Sequence, residues 1–193
     1  LPLGGRTARG KALVNLLPIE PGTSIAALLP MDAPEEEWDD YQVILATDRG
    51  DVRRNALSDF TNIMRNGKIA MKLPEETRLI DVRLATEEDD VMLVTAAGRA
   101  IRFRTTDVRI FKGRDSTGVR GIRLGKGDAV VSMSVIRHFE ADPEERAAYL
   151  KMRRAVAGAL DDWAEPDEDE DAVPEGNISP ERYAEMSAAE DLI

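Results

Sequence analysis

The chain has 193 residues, no cysteine and one histidine, and its formal net charge at pH 7 is −11. The absence of cysteine excludes a disulfide framework, a thiolate zinc site and a cysteine nucleophile. No apolar run approaches the roughly 18 to 20 residues that would cross a bilayer, and the first residues show no signal-peptide pattern. The sequence therefore predicts a cytoplasmic protein, and its first residues favour a piece of a longer one.

The charge is divided unevenly along the chain. Residues 1–137 carry 21 Lys/Arg and 20 Asp/Glu, whereas residues 138–193 carry 5 and 17. Binding to nucleic acid needs clustered Lys and Arg to neutralise phosphates, so the acidic average argues against it only for the second segment. We therefore expect two domains, 1–137 and 138–193.

A sequence repeat organises the first domain. The run VILATDRG at residues 43–50 returns 48 positions later as VMLVTAAG at residues 91–98. A basic strand follows each copy, at residues 51–54 and 99–104. A second element, Gly-x-x-x-apolar-polar-Leu, begins at Gly10, Gly67 and Gly118.

The repeat predicts an all-β fold. A turn and an aliphatic strand are predicted after each Gly element, at residues 25–31, 79–84 and 129–136. Alternating apolar residues between Gly and Asp-containing turns, with no helical period, are typical of short antiparallel strands. A period near fifty with about four strands per copy fits a β-pinwheel or propeller-like blade. Residues 1–137 would hold the end of one blade, two nearly whole blades and the start of the next.

Equivalent positions in a propeller lie at equivalent places around the disc. The repeat therefore also predicts where acidic and basic residues gather on the disc. The acidic loops at 32–40 and 87–90 should share one edge, and the basic segments 49–72 and 99–126 should form a continuous positive band. A lone Arg-Arg pair is usually just a solvated face. Here basic residues recur at matching positions of both copies, and that recurrence favours contact with a phosphate backbone. Because aromatic residues are few, duplex contact is favoured over base stacking on single strands.

Three strings carry a resemblance to a known family. Residues 9–18, 67–73 and 116–128 resemble the C-terminal domain of the A subunit of DNA gyrase, and the resemblance covers residues 1–137. It implies a disc of about six blades whose basic rim wraps duplex DNA without reading sequence. It also implies a part in ATP-dependent negative supercoiling by a type IIA topoisomerase.

The resemblance further implies which sites to expect here. It implies no catalytic residue, metal or cofactor in this chain, since ATP and Mg²⁺ would bind elsewhere in the enzyme. The implied partners are duplex DNA, the remainder of the gyrase A protein and the gyrase B protein in a heterotetramer, with no membrane and a bacterial, nucleoid-associated location. Matched to the family's rim, the expected phosphate contacts are Arg6, Arg9, Lys11, Arg53, Arg54, Arg65, Lys68, Arg102, Arg104, Lys112, Arg114, Arg120 and Arg123.

One departure keeps two alternatives open. The family's basic box, Gln-Arg-Arg-Gly-Gly-Lys-Gly, is absent from these residues. The related domain of topoisomerase IV lacks or degrades that box, so it is the first alternative. A propeller that serves only as a scaffold for protein–protein interaction is the second.

The second domain is predicted to be an acidic helical hairpin inserted in a blade loop. A helix should start at Asp142 as N-cap, with Pro143 at the first helical position and Glu145 completing a capping box, and should run to about residue 163. Ser179 should cap a second helix through about residue 190, after a solvated acidic run at 165–171. The first helix has an apolar stripe of Tyr149, Met152, Val156, Leu160 and Trp163. The hairpin is interpreted either as a decoration docked by that stripe or as a charged element that competes with DNA.

Overall fold

The computed structural model describes residues 3–19, 22–31, 33–64, 67–113, 116–158 and 178–189. The chain divides into two compact units, Leu1–Ile136 and Arg137–Ile193. Their boundary falls one residue before the one predicted from the sequence. The first unit is built from β-strands and the second from helices.

The first unit contains two sheets. The strand bounds are β1 Gln42–Thr47, β2 Asp51–Ala56, β3 Leu79–Ala85, β4 Asp89–Thr95, β5 Ala100–Arg104, β6 Val119–Arg120 and β7 Val130–Arg137. One sheet has four strands in the order β3-β1-β2-β6, and the other has three in the order β5-β4-β7. All three pairings of the first sheet are antiparallel, and so is the pairing of β4 with β5. Each copy of the repeat therefore supplies a hairpin and a third strand, and the all-β prediction is confirmed.

The two hairpins close with the same turn chemistry. In the β1–β2 turn, the Gly50 amide donates to the Thr47 carbonyl at 3.0 Å, and the Thr47 hydroxyl accepts from the next strand. In the β4–β5 turn, the Gly98 amide donates to the Thr95 carbonyl at 3.0 Å, and the Thr95 hydroxyl again accepts. Both glycines have a positive φ, 83° and 76°, which non-glycine residues rarely adopt. The 48-residue repeat therefore preserves the turns as well as the strands.

The second copy completes the sheet of the first. Strand β6 lies in the third Gly element, yet it pairs with β2, with Val119 opposite Val52. This close crossing needs glycine, because a Cβ on Gly118 (φ +106°) would collide with the Val52 carbonyl. A Cβ on Gly121 would meet the side chains of Val52 and Leu93. The sheets are thus interlocked.

The core follows the alternation of β1. Ile44 and Ala46 point to one side, into a cluster that also holds Leu93 and Met133 of the second copy. Val43 and Leu45 point to the other side, against Leu57 and neighbouring partly buried residues. All six residues of β1 are buried, so this strand is covered on both faces. The first cluster is therefore an apolar core that the two copies share, and its burial stabilises both sheets together.

Two predicted segments differ from expectation. Residues 25–31 form no strand, although the equivalent segments become β3 and β7. Strand β3 is held in its sheet by pairing with β1, whereas residues 25–31 pair with no strand among the described residues. The Gly element at 67–73 is also not a strand, and only two residues of the Gly118 element are. The second copy supplies four strands, β4 to β7, as expected, whereas the first copy supplies three, β1 to β3, and its sheet takes β6 as the fourth.

The second unit contains α1, Pro143–Gly158, and α2, Pro180–Ala188. Both predicted caps are confirmed. The Asp142 carboxylate accepts from the Glu145 amide at 2.8 Å, and the Glu145 carboxylate accepts from the Asp142 amide at 3.2 Å. The Ser179 hydroxyl accepts from the Arg182 amide at 3.1 Å. Helix α2 ends at Ala188 with Ala189 as its C-cap, close to the predicted end near residue 190. The predicted extension of α1 to Trp163 lies outside the described residues.

A small core and one arginine join the two helices. Tyr149 and Met186 are buried, and the Tyr149 and Tyr183 rings lie 5.2 Å apart between centroids. Arg182 donates to both carboxylate oxygens of Glu145 at 3.0 Å. This bidentate pair holds the pKa of Glu145 below its ordinary value of 4.5. Met152 of the predicted stripe is exposed, so within the described residues the stripe is narrower than predicted.

Candidate nucleic-acid interface

The arginine pair on β2 is inside the protein. Arg53 has no exposed surface and Arg54 is 3% exposed, so the prediction that they line an outer basic rim is wrong. The Arg53 guanidinium donates to Asn55 Oδ1 at 2.8 Å, to the Ser116 carbonyl at 2.6 Å and to the Gly113 carbonyl. It also lies 4.8 Å from the centre of the Phe111 ring.

These side chains attach the loop of the second copy to the first. The Phe111 amide donates to the Arg54 carbonyl at 2.9 Å, and Asn55 Nδ2 donates to the Phe111 carbonyl at 2.7 Å. Arg54 itself donates to the Thr105 and Val108 carbonyls at 3.3 and 3.1 Å. Buried cations are tolerated when their donors are satisfied in this way. The two arginines therefore hold the repeats together.

Carboxylates pair with one predicted contact arginine on β2 and with one on β5. Arg54 pairs with Glu87 at 2.6 Å, and Arg102 pairs with Asp90 at 2.6 Å. Asp90 is only 2% exposed, so it is an internal counter-ion for Arg102. The predicted continuous positive band along the strands is therefore interrupted at both sites.

The other predicted contacts divide into exposed, half-buried and undescribed residues. Lys68 is half-buried, and its ammonium donates to the Thr61 carbonyl at 3.3 Å. Arg65 and Arg114 lie outside the described residues. The exposed ones are Arg6, Arg9, Lys11, Arg104, Lys112, Arg120 and Arg123.

Several exposed cationic residues lie near the turns that connect the strands of the two hairpins. The Arg78 amide donates to Asp48 Oδ1 at 2.9 Å, which places Arg78 beside Arg49 of the β1–β2 turn. Arg120 stands opposite Asp51 in the β2–β6 pairing. A shallow depression is lined by Arg49 and Arg120 together. We define the turn-end cluster as a group of cationic residues at these turns: Arg49, Arg78, Arg99, Arg120, Arg123 and Lys126.

The turn-end cluster draws its members from both copies. The amide of Val130 donates to the Asp48 carbonyl at 3.0 Å, so the start of β7 lies against the β1–β2 turn. The Ala97 amide donates to Asp128 Oδ1 at 3.0 Å, so the β4–β5 turn adjoins the same strand. The predicted contacts did not include four of its members, namely Arg49, Arg78, Arg99 and Lys126. The turn position next to Gly50 and Gly98 is the sequence signal that identifies two of them.

Two carboxylates of this region, those of Asp48 and Asp128, accept hydrogen bonds from backbone amides. Desolvation tends to raise the pKa of Asp128, but hydrogen bonds from Thr95, Ala97 and Ala129, with Arg99 nearby, lower it below the ordinary value of 3.8. Asp128 is therefore ionised at neutral pH and fixes two turns. Arg49 has a long contact of 3.9 Å with Glu76, which is mostly exposed to solvent. Such exposed pairs are weak and leave a guanidinium available to another anion.

The opposite end of the first sheet is acidic, as predicted. Gln42 at the start of β1 stands opposite Ala85 at the end of β3. The 3₁₀ turn Glu35–Asp40 precedes β1, and Glu87 and Glu88 follow β3, so both acidic segments lie at this end. The two ends of the sheet therefore differ in sign.

Two other kinds of site receive no support from the described residues. No three His, Cys, Asp or Glu side chains among them are placed to share a metal ion. None of the helices in the described ranges is long and apolar enough to span a membrane. The acidic run at 165–171 lies outside those ranges.

The interlocked antiparallel sheets built from a 48-residue repeat define a protein of the β-propeller class. A family described as DNA gyrase C-terminal domain, beta-propeller, matches residues 41–86 and 89–137. The A subunit of DNA gyrase from Granulibacter bethesdensis is 47% identical over the whole chain and 22% of its own length. The chain therefore belongs to the DNA gyrase A family, as a part of the C-terminal domain.

Further relatives agree with this assignment. The A subunit of DNA gyrase from Escherichia coli K12 is 45% identical over 71% of this chain and 15% of its own length. The C-terminal domain of DNA topoisomerase IV has a TM-score of 0.57 at 25% identity and covers 66% of this chain and 38% of that chain. A DNA gyrase A C-terminal domain also has a TM-score of 0.57, at 23% identity, over 66% of this chain and 41% of that chain. The chain spans about a fifth of the length of the first curated relative.

Proposed function

We propose that this chain binds duplex DNA without sequence preference, within the C-terminal domain of a gyrase A protein. The observation that supports this is the turn-end cluster, in which exposed cations of both copies lie at adjoining turns. Phosphate oxygens are spaced regularly along a duplex, so a row of such cations can follow a backbone without contacting bases. The acidic opposite end would repel the same duplex and so orient it.

In the whole gyrase A protein, more repeats would extend this surface and bend the DNA around it. Bending a duplex of a few helical turns costs several kcal/mol, so many phosphate contacts are needed and none is decisive. We propose that this wrapping supports ATP-dependent negative supercoiling by a type IIA topoisomerase in the bacterial cytoplasm. The partners would be the remainder of the gyrase A protein and the gyrase B protein, which would supply the catalytic residues and the ATP and Mg²⁺ sites.

The binding proposal is tested on the 193-residue chain with short linear duplexes of unrelated sequence. Replacing Arg49 and Arg120 together by Gln should flatten the slope of log K against log salt by about two units, equally for each sequence. Arg83→Gln is the matched control, because Arg83 is exposed but pairs with Asp81 at 2.8 Å. An unchanged slope in the double variant would exclude the turn-end cluster as the interface. No retention of duplex by the unaltered chain at low salt would instead favour a protein-interaction scaffold.

Wrapping is tested separately on the whole gyrase A protein. A closed circular plasmid is relaxed by a type I topoisomerase in the presence of that protein, and its linking number is then measured. A wrap of fixed hand should shift the linking number in one direction in proportion to the amount of protein bound. An unshifted distribution at saturation would leave simple binding as the function of this domain.

A further inference from the structure

A polar pocket of about 280 Å³ lies where the two copies meet, away from the hairpin turns. Its walls are the 3₁₀ turn Leu57–Phe60 that follows β2, the residues just after it, and Lys112 of the second copy. At ~30 Å³ for each water molecule, the volume corresponds to about nine waters and admits a phosphate group. The pocket is lined by Asn55, Ser58, Asp59, Thr61, Lys68 and Lys112, among others.

The two lysines are brought to this pocket by backbone contacts. Lys68 donates to the carbonyl oxygens of Asp59 and Thr61, which draws its ammonium group over the turn. Lys112 follows Phe111, whose carbonyl accepts from Asn55 Nδ2 at 2.7 Å. Neither ammonium group has a carboxylate partner within the described ranges. The pocket therefore holds two positive charges, opposed by the exposed Asp59 carboxylate.

A neutral donor is also available in the pocket. The carbonyl of Ser58 accepts from the amide of Thr61 at 3.3 Å and from its hydroxyl at 3.0 Å. The Ser58 hydroxyl makes no hydrogen bond to any described residue, and Ser58 is only partly buried. Two ammonium groups and a hydroxyl that line one open pocket form a donor set that suits a phosphate oxygen.

We propose that this pocket seats one phosphate group of a duplex backbone, with Lys68, Lys112 and Ser58 as donors. The inference rests on the proposed DNA binding and deepens it, since it adds a defined contact outside the turn-end cluster. The second copy has Val119 at the position of Lys68, so the repeat does not build the same pocket twice. A free phosphate anion has the same chemistry, and the experiment separates the two sources.

The test measures duplex affinity of the 193-residue chain at several salt concentrations. Lys112→Gln should weaken binding about tenfold at low salt and flatten the salt slope by about one unit. Ser58→Ala should weaken binding about fivefold with the slope unchanged, because it removes a hydrogen bond and no charge. Asp59→Asn should strengthen binding about threefold by removing the opposing charge.

Two controls isolate the pocket. Ser132→Ala makes the same change at an exposed position of β7, and Lys151→Gln removes an exposed lysine from α1. Both should keep duplex affinity within about twofold. Thermal unfolding of each variant verifies that the fold is retained.

Unchanged duplex affinity in both Ser58→Ala and Lys112→Gln would overturn the proposal while leaving the proposed DNA binding intact. The same holds if inorganic phosphate shifts the amide NMR signal of Asn62 but the duplex affinities do not change, since the pocket would then be a free-anion site. Failure of the unaltered chain to bind any duplex would overturn both the pocket and the proposed function.

Discussion

Strands β2 and β5 occupy the same place in the two copies, yet they use their arginines differently. On β2, Arg53 and Arg54 are buried and hold the loop of the next copy. On β5, Arg102 is partly exposed beside Asp90, and Arg104 is exposed. Strand β2 is paired on both edges, whereas β5 is the edge of its described sheet.

The comparison shows that the spacing of arginines in the sequence predicts a strand, but it does not predict whether their side chains are buried for structure or exposed for binding. Guanidinium groups satisfy several carbonyl acceptors at once, so they can join two backbone segments when a neighbour covers the strand. Where no segment covers the strand, the same residue type remains at the surface. The covering segment, here residues 109–113 and β6, decides between a structural and a binding role.

The largest expected loss of stability comes from removing the hydrogen bonds of Arg53. Arg53→Leu should lower the free energy of unfolding by about 4 kcal/mol, because the carbonyls of Gly113 and Ser116 lose their donor in a buried place. Denaturant unfolding measures the change. Arg83→Leu on the exposed face of β3 should stay within about 0.5 kcal/mol. Similar losses in the two variants would contradict the joining role of Arg53.

The crossing of β6 over β2 is tested by a pair of glycines. Gly118→Ala should lower the free energy of unfolding by about 3 kcal/mol, since it adds a Cβ against the Val52 carbonyl at a positive φ. Gly113→Ala is the matched control, because a Cβ there meets nothing within 4 Å. If both variants unfold at the same denaturant midpoint, the close crossing is not important for stability.

A third pair of variants separates the two arginines of β5. Arg102→Ala should lower the free energy of unfolding by about 2 kcal/mol by leaving Asp90 without its 2.6 Å partner, with little change in the salt slope of duplex binding. Arg104→Ala should leave stability within about 0.5 kcal/mol and flatten that slope by about one unit. Equal slopes for the two variants would show that exposure does not decide which arginine contacts DNA.

The smallest effect is expected in the helical unit, where an arginine pairs with a more exposed carboxylate. The pKa of Glu145 is lowered from 4.5 by Arg182, so the pair stabilises the unit fully above that pH and progressively less as pH falls below it. In Glu145→Gln, the helical signal in circular dichroism should lose part of its dependence on pH between neutral and acid. Glu144→Gln should keep the full dependence, since Arg182 binds Glu145. A matching pH profile in both variants would contradict this assignment.

Local chemistry was predictable from the sequence, and contacts between copies were not. Gly50 and Gly98 identified the hairpin turns, and Asp142 and Ser179 identified both helix starts, because each feature depends on a few neighbouring residues. Arg53 could not be placed in the same way. Its burial depends on Gly113 and Ser116, some sixty positions away in sequence, and no local pattern contains that information.

The candidate interface was predicted in part for the same reason. The acidic end was identified because its residues precede the first strand of each copy. The turn-end cluster was predicted only in part. Its members other than Arg78 lie in the expected basic segments, but Arg78 comes beside Arg49 only through the contact of Asp48. The exposed cations Arg120 and Arg123 belong to segments whose resemblance to the family was already visible in the sequence.

The pairing of β6 with β2 has a consequence for how such repeats could be moved between proteins. A cut at the apparent sequence boundary, near residue 87, would separate β2 from the strand and loop that complete its sheet. A transplantable module would have to begin and end within a sheet, so that each hairpin travels with the segment that closes it. Recombination at the boundary of the sequence repeat would therefore yield two incomplete sheets. Because each copy completes the other, heating should unfold both copies in a single cooperative transition.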